Sequence, residues 1–202
     1  MENTNGQAEL SVEDRLKQRK QVANERVATN KGRVAELVDY FSWTLGDNRI
    51  GTIRVHYSGS GDDGCLESMD FYVEEHTSSG KSDMEDRNFF THNFGHDHYD
   101  TTKTIQFTAN RNNIKLSDDE KQTIRQSSTL RKLATYIEDM CYDMLEERHG
   151  GWEIDAGMTG YFDFNFDNSK TNNNNIIDKS AYTIVHEFTK YFEDSESGTE
   201  EY

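Results

Sequence analysis

The sequence predicts an α+β fold, in which an antiparallel sheet of about five strands carries two main helices packed on one face. Two segments have the apolar spacing of amphipathic helices, and several shorter segments alternate apolar with polar residues. These segments follow one another in the order α-β-β-β-α-β-β. Short turns rich in Gly, Asn and Asp separate several of them, which favours antiparallel hairpins.

The first helical pattern tightens along its length. Residues 11–33 have mixed charges and sparse apolar positions, so we expect an exposed N-terminal helical arm. From Val34 onward the apolar residues recur at helical spacing, and Gly46 favours the end of that helix. The second main helix is predicted over about residues 128–148, because apolar residues line one of its sides and the following His-Gly-Gly suits a left-handed C-cap.

The predicted strands are recognised by strict alternation. The pattern is found in residues 53–57, 69–73, 103–109, 162–166 and 182–188. GSGDDG at residues 59–64 predicts a turn between the first two strands, which then form a hairpin. The long polar segment 76–102 is interpreted as a loop, and Ser117 is a candidate cap for a small additional helix.

The chain length of 202 residues suits one domain flanked by tails. We predict a single α+β domain over residues 34–191, with a disordered tail at 1–10 and an acidic disordered tail at 192–202. The two cysteines lie in apolar patterns and are interpreted as reduced thiols. With no secretory signal pattern and no apolar run near the ~18 residues that span a bilayer, we expect a cytoplasmic protein without a membrane partner.

The net charge of −16 is unevenly distributed. Residues 1–50 contain equal numbers of acidic and basic residues, so the excess negative charge belongs entirely to residues 51–202. An acidic surface repels phosphates, which disfavours direct binding of nucleic acid or of an anionic membrane. The charge instead favours a partner protein with a basic surface, or a metal ion.

Several motifs together resemble a known family. YSGSGDDG after a strand, EERHGGWEIDAG after a helix, and two aromatic strands ending near HEF resemble a family of small bacterial and phage proteins defined only as a domain of unknown function. The resemblance runs from about Val34 to Phe188, and Gly-Gly-Trp-Glu-Ile is its most specific part. The family tends to have Asn-Asp-Gly where this chain has Asp155-Ala156-Gly157. No activity follows, but the resemblance implies an accessory protein of a phage or mobile element, acting in the host cytoplasm.

The stretch HGGWEIDAG is the first candidate site. Glu153 and Asp155 point to the same side of an extended chain, beside Trp152, and with Asp62 and Asp63 of the hairpin turn they offer carboxylates for a divalent cation or for acid–base chemistry. The structural interpretation, which we favour, is that a Gly caps the helix and Trp152 packs back on its last turn.

The polar loop contains the second candidate site. His92, His96 and His98 have side chains that bind zinc, although their spacing matches structural zinc sites weakly. A solvated loop is the favoured alternative. His186 is predicted to lie on the buried side of the last strand, with Glu187 on the opposite side.

The acidic surface is the third candidate site. On the second main helix one stripe of acidic residues has the placement expected of a DNA mimic that occupies a basic, nucleic-acid-binding groove: Asp139, Asp143, Glu146 and Glu147. Its charge density, one carboxylate per roughly 5 Å of helix, is lower than that of duplex DNA at about 1.7 Å per charge. A solubilising surface is the simpler interpretation.

These observations lead to a ranked functional prediction. No catalytic residues, Walker loop or nucleophile motif is recognised, so we expect a non-enzymatic acidic protein without cofactor, in the class of phage anti-defence inhibitors that bind a host protein. The first alternative is a metal-binding protein or metal-dependent hydrolase that uses the residues around Glu153 or the histidine loop. The second is a structural subunit of a larger assembly, with self-association through the N-terminal helix.

Overall fold

The structure is a computed structural model that describes residues 11–43, 50–61, 63–73, 88–94, 104–107, 116–153, 157–166, 182–191 and 196–202. Its elements follow the order α1 (Val12–Trp43), β1 (Ile50–Ser60), β2 (Asp63–Val73), β3 (Asn88–Asn93), β4 (Thr104–Phe107), α2 (Asp118–Gln126), α3 (Ser128–Arg148), β5 (Met158–Phe166), β6 (Tyr182–Lys190) and β7 (Glu196–Glu201). No described helix is both long and apolar enough to cross a membrane.

The seven strands of the described residues form one antiparallel sheet in the order β4-β3-β2-β1-β5-β6-β7. The prediction of about five strands and two main helices in the order α-β-β-β-α-β-β is therefore wrong. The sheet has two more strands, β3 and β7, and α2 adds a third helix between β4 and α3.

β3 lies in the segment that the sequence led us to interpret as a loop. Two adjacent phenylalanines, Phe89 and Phe90, are both buried, so the strand lacks the alternation by which strands are recognised. A register shift between Phe71 and Tyr72 of β2 accommodates this irregularity in the β2–β3 pairing.

β7 lies in the acidic segment at the end of the sequence. Its residues, ESGTEE, include no large apolar side chain, so no local pattern predicts a strand. The strand exists because all six residues pair with β6, from Glu196 opposite Lys190 to Glu201 opposite Val185. For α2, in contrast, Ser117 forms a full capping box with Glu120, as the sequence suggested.

The two faces of the sheet differ in character. The core face packs with α1 and α3 and buries most of its side chains, among them Val55 on β1 and Phe162 on β5. The opposite face, which we call the open face, carries charged and hydroxyl side chains such as Arg54 and Asp163. Because side chains alternate along a strand, every central strand contributes to both faces.

Candidate metal centre

Three potential metal ligands from three different elements meet on the core face. His149 is the C-cap residue of α3, His186 belongs to β6, and Glu200 belongs to β7. His186 and Glu200 are direct partners in the β6–β7 ladder, so their side chains lie on the same face. The end of α3 brings His149 to the same place.

The three side chains are already close enough to share an ion. The Nε2 atom of His149 lies 3.2 Å from Oε2 of Glu200, and Nδ1 of His186 lies 3.4 Å from the same oxygen. One ligand atom from each residue lies within 4.8 Å of the other two. Ligand atoms at ~2.0 Å from a tetrahedral ion are about 3.3 Å apart. Two of the three separations therefore have the size that a zinc-like ion requires.

Aromatic rings enclose the cluster. The side chains of His149 and His186 are 4% and 0% exposed, while that of Glu200 is 26% exposed. The ring of Phe162 stacks on His186 with centroids 4.1 Å apart, and Phe188 lies 4.7 Å from the His149 ring. A ligand group enclosed by apolar rings is poorly solvated, which strengthens its interaction with a cation.

A second shell of hydrogen bonds orients the ligands. The Tyr57 hydroxyl lies 2.9 Å from Nε2 of His186, so the Nδ1 atom of this ring is directed at Glu200. The Tyr202 hydroxyl donates to Oε2 of Glu200 over 2.8 Å. Metal-bound histidines usually have such a partner on their second nitrogen, because it fixes the orientation of the ring.

The protonation states suit metal binding. Burial lowers the pKa of His186 to about 4 and also lowers the pKa of His149, so both imidazoles are neutral near pH 7. Burial alone raises the pKa of Glu200, but hydrogen bonds from Tyr202 and His149 outweigh it and the pKa falls below its ordinary value. Two neutral imidazoles and one carboxylate carry a net charge of −1. This is the deprotonated state in which such ligands bind metals.

One imidazole nitrogen of this cluster has no hydrogen-bond partner within the described part of the chain. The Nδ1 atom of His149 is buried and unpaired there. An unpaired buried polar atom destabilises the folded chain. Because Nδ1 makes no hydrogen bond, the position of the His149 ring is set by its other contacts, which are Glu200 on Nε2 and the flanking aromatic rings.

The structure places the HGGWEIDAG stretch beside the β1–β2 hairpin. Trp152 is buried and covers Gly59 and Gly64, where an added Cβ would come within 2.8 and 2.6 Å of the indole ring. Gly151 has the left-handed φ of +81° that suits a residue just after a helix. Glu153 packs on the same glycines, next to the turn that contains Asp63. The other two predicted members of this site, Asp62 and Asp155, lie outside the described residues.

The histidines of the polar segment are only partly described. His92 belongs to β3, is buried at 4% exposure and lies 5.3 Å from the Phe94 ring, centroid to centroid. His96 and His98 lie outside the described residues.

The acidic stripe on α3 is partly covered by α1. Asp143 is buried and forms an ion pair with Arg26, and Glu147 accepts a hydrogen bond from Asn24. The other two carboxylates of the stripe, on Asp139 and Glu146, are exposed. Two of the four charges therefore take part in the packing of α1 on α3.

Only part of the cluster of His149, His186 and Glu200 could be predicted from the sequence. Alternation in β6 predicted that His186 would lie on the buried side, and the structure confirms this. Glu200 was not recognised, because it lies in a segment expected to be disordered and only the pairing with β6 turns it inward.

Comparison with known proteins identifies one matching protein family. A family model matches residues 97–202, about half of the chain, and it describes a family of unknown function (DUF6878). No curated protein and no solved structure matches the chain. The matched region includes α3, β5, β6 and β7, and with them the three residues of the candidate metal centre.

Proposed function

The chain belongs to this family of unknown function, and we propose that it is a metal-binding protein that holds a divalent transition-metal ion through His149, His186 and Glu200. The observation that carries the proposal is the convergence of two buried imidazoles and one carboxylate from α3, β6 and β7, with ligand atoms within 4.8 Å of one another. Imidazole and carboxylate together suit zinc, and also iron(II) in sites with two histidines and one carboxylate.

The position of the cluster suggests what the ion does for the protein. His149 ends α3, and Glu200 belongs to a strand that contributes no large apolar side chain to the core. An ion bound by both residues ties β7 to the helix end. Because the full ligand set exists only in the folded chain, the free energy of metal binding becomes free energy of folding. Three protein ligands also leave a fourth position for water or another ligand.

The positive charge of Arg148 should weaken metal binding. Its guanidinium lies 3.5 Å from Oε2 of Glu200 and 3.9 Å from the centroid of the Tyr202 ring. Its positive charge competes with a metal for the same carboxylate. Under this proposal Arg148→Met binds zinc more tightly than the unaltered protein.

Titration of the chelator-treated full chain with zinc tests the proposal. We expect one ion per chain and a rise in melting temperature, about 2.7 kcal/mol of added stability at one hundred times Kd. His186→Gln and Glu200→Gln should each abolish the stoichiometric binding. The matched control is His56→Gln, which removes a histidine that also pairs with a carboxylate, Asp70, but on the open face. Equal zinc binding by His186→Gln and His56→Gln, or no stoichiometric ion in the unaltered chain, overturns the proposal.

A second candidate function rests on the charge. The net charge of −16 supports the prediction of an acidic protein that binds a partner protein with a basic surface. The origin of the chain in a phage or mobile element stays a prediction. Because Asp143 and Glu147 contact α1, the exposed carboxylates Asp139 and Glu146 are the ones to reverse. A partner retained from lysate at low salt, lost at moderate salt and lost in the double charge reversal supports this function. Retention that is insensitive to salt contradicts it.

A further inference from the structure

β7 forms one end of the described sheet, next to β6. The amide nitrogen of Tyr202 donates to the carbonyl of Ile184 over 2.8 Å, and the Ile184 amide donates back over 3.5 Å. In an antiparallel pair such hydrogen-bonded positions alternate with positions whose backbone groups point away from the partner. The backbone N–H and C=O groups of Ser197, Thr199 and Glu201 therefore point away from β6, towards the outer edge.

A groove lies directly beside this edge. Its volume is about 380 Å³, and β5, β6 and β7 each contribute three lining residues. Hydroxyl groups dominate its polar lining, on Thr159, Thr189, Ser197 and Thr199. The carboxylate of Glu187 is exposed and accepts a hydrogen bond from the Tyr161 hydroxyl.

The charge of this region is negative. Among the described residues that line the groove there is no lysine or arginine, and Glu187 has the one carboxylate. Glu201 lies on the same face of β7 as Thr199, and Glu196 begins the strand. The nearest base in β6, Lys190, packs over the Phe188 ring. A cationic side chain therefore finds carboxylate and hydroxyl acceptors here.

We propose that the outer edge of β7 and the adjoining groove bind a basic, extended peptide segment of another protein by strand addition. The segment pairs with Ser197, Thr199 and Glu201, and one of its lysine or arginine side chains reaches Glu187. Main-chain hydrogen bonds supply affinity in this mode, and alternate side chains supply specificity. A second copy of this chain fits less well, because two such acidic strands would bring like charges together.

This inference goes beyond metal binding and depends on different atoms. Glu200 points to the core face, whereas Glu187 and Thr199 lie on the open face. A protein that fails to bind zinc can still bind the peptide, so the failure of one proposal is distinguishable from the failure of the other.

The test uses the full chain and fluorescent eight-residue peptides. A peptide that alternates lysine with threonine is extended and basic. A lysine–threonine peptide with methylated backbone nitrogens carries the same charge but donates no backbone hydrogen bond, and a glutamate–threonine peptide reverses the charge. We expect binding of the unmethylated lysine–threonine peptide alone, with slower hydrogen exchange at the amides of residues 197, 199 and 201. No binding of the unmethylated lysine–threonine peptide, or equal binding of its N-methylated form, overturns the proposal.

Two pairs of variants locate the interaction. Thr199→Pro removes an N–H that points away from β6, so it leaves the β6–β7 ladder intact and should weaken the peptide about fivefold, as expected for one hydrogen bond. Thr199→Val keeps the N–H and loses only the side-chain hydroxyl, so it should bind the peptide more tightly than Thr199→Pro. Glu187→Gln should weaken binding to a similar degree, whereas Asp119→Asn removes a charge from exposed α2 and should not. Circular dichroism and thermal unfolding of Thr199→Pro check its fold; equal peptide affinity in the paired variants overturns the proposal.

Discussion

Adjacent residues of strand β6 belong to two chemically different surfaces, the core face and the open face of the sheet. His186 points to the core face and is fully buried, while Glu187 points to the open face and is exposed. Each face contains a histidine beside a carboxylate. On the core face His186 lies 3.4 Å from Glu200, and on the open face His56 lies 3.2 Å from Asp70.

The two histidine–carboxylate pairs show how burial decides the chemistry of a site. On the core face desolvation keeps the His186 ring neutral, because it lowers the pKa to about 4. On the open face burial raises the pKa of Asp70, but hydrogen bonds from His56 and Thr91 outweigh it and keep this carboxylate charged. A neutral imidazole is a metal ligand and a charged carboxylate attracts cations. The same pair of residue types therefore forms a buried set of metal ligands on the core face and a partly exposed pair on the open face.

The largest contrast is expected from neighbouring aromatic residues of β5. Phe162→Ala removes a fully buried ring that stacks on His186, and we expect a loss of about 3–5 kcal/mol in the free energy of unfolding. Tyr161→Ala removes a partly exposed ring that Arg54 covers at 3.8 Å on the open face, and we expect a loss of about 1 kcal/mol. Urea unfolding of both variants measures the difference. Similar losses would show that the open face is packed as tightly as the core face.

How much of this contrast is predictable from the sequence differs between the faces. Alternation in β1, β5 and β6 assigns Arg54, Asp163 and His186 to their faces, because period-two patterns are local. The position of Glu200 opposite His186 is not local. It depends on β7, whose residues lack strand propensity and are held by the ladder with β6.

The helices show the same limit. The sequence predicted the apolar stripe of α3, but it did not predict that Asp143, a member of the acidic stripe, would be buried. This burial results from the packing of α1 on α3, which places Arg26 against that carboxylate. A pairing between residues more than one hundred positions apart leaves no trace in the local pattern of either helix.

The second prediction concerns acid stability in the presence of a chelator. The pKa of His186 is about 4 in the folded chain and 6.5 in its ordinary state, so below pH 6.5 the unfolded chain binds a proton that the folded chain does not. Stability is therefore full above pH 6.5 and falls as the pH drops towards 4, by at most about 3 kcal/mol from this residue. His149 contributes in the same direction, because burial also lowers its pKa.

The comparison of unaltered chain and His186→Gln isolates this effect. Unfolding free energies measured at pH 7, 5.5 and 4 should fall less steeply in the variant, since glutamine does not titrate. Parallel pH profiles would mean that His186 is protonated equally in the folded and unfolded chain.

The smallest contrast in stability is expected within the open face, between a carboxylate in an ion pair, Asp163, and an exposed carboxylate, Glu187. Asp163 binds the Arg54 guanidinium through both oxygens at 2.7 Å, and these two side chains are 13% and 21% exposed. We expect Asp163→Asn to cost about 2 kcal/mol, because it leaves a partly buried guanidinium without its charged partner. Glu187→Gln makes the same chemical change at an exposed position and should stay within about 0.5 kcal/mol. If thermal unfolding shows equal losses, the carboxylate of Glu187 supports the fold as Asp163 does, and it is not free to receive a ligand.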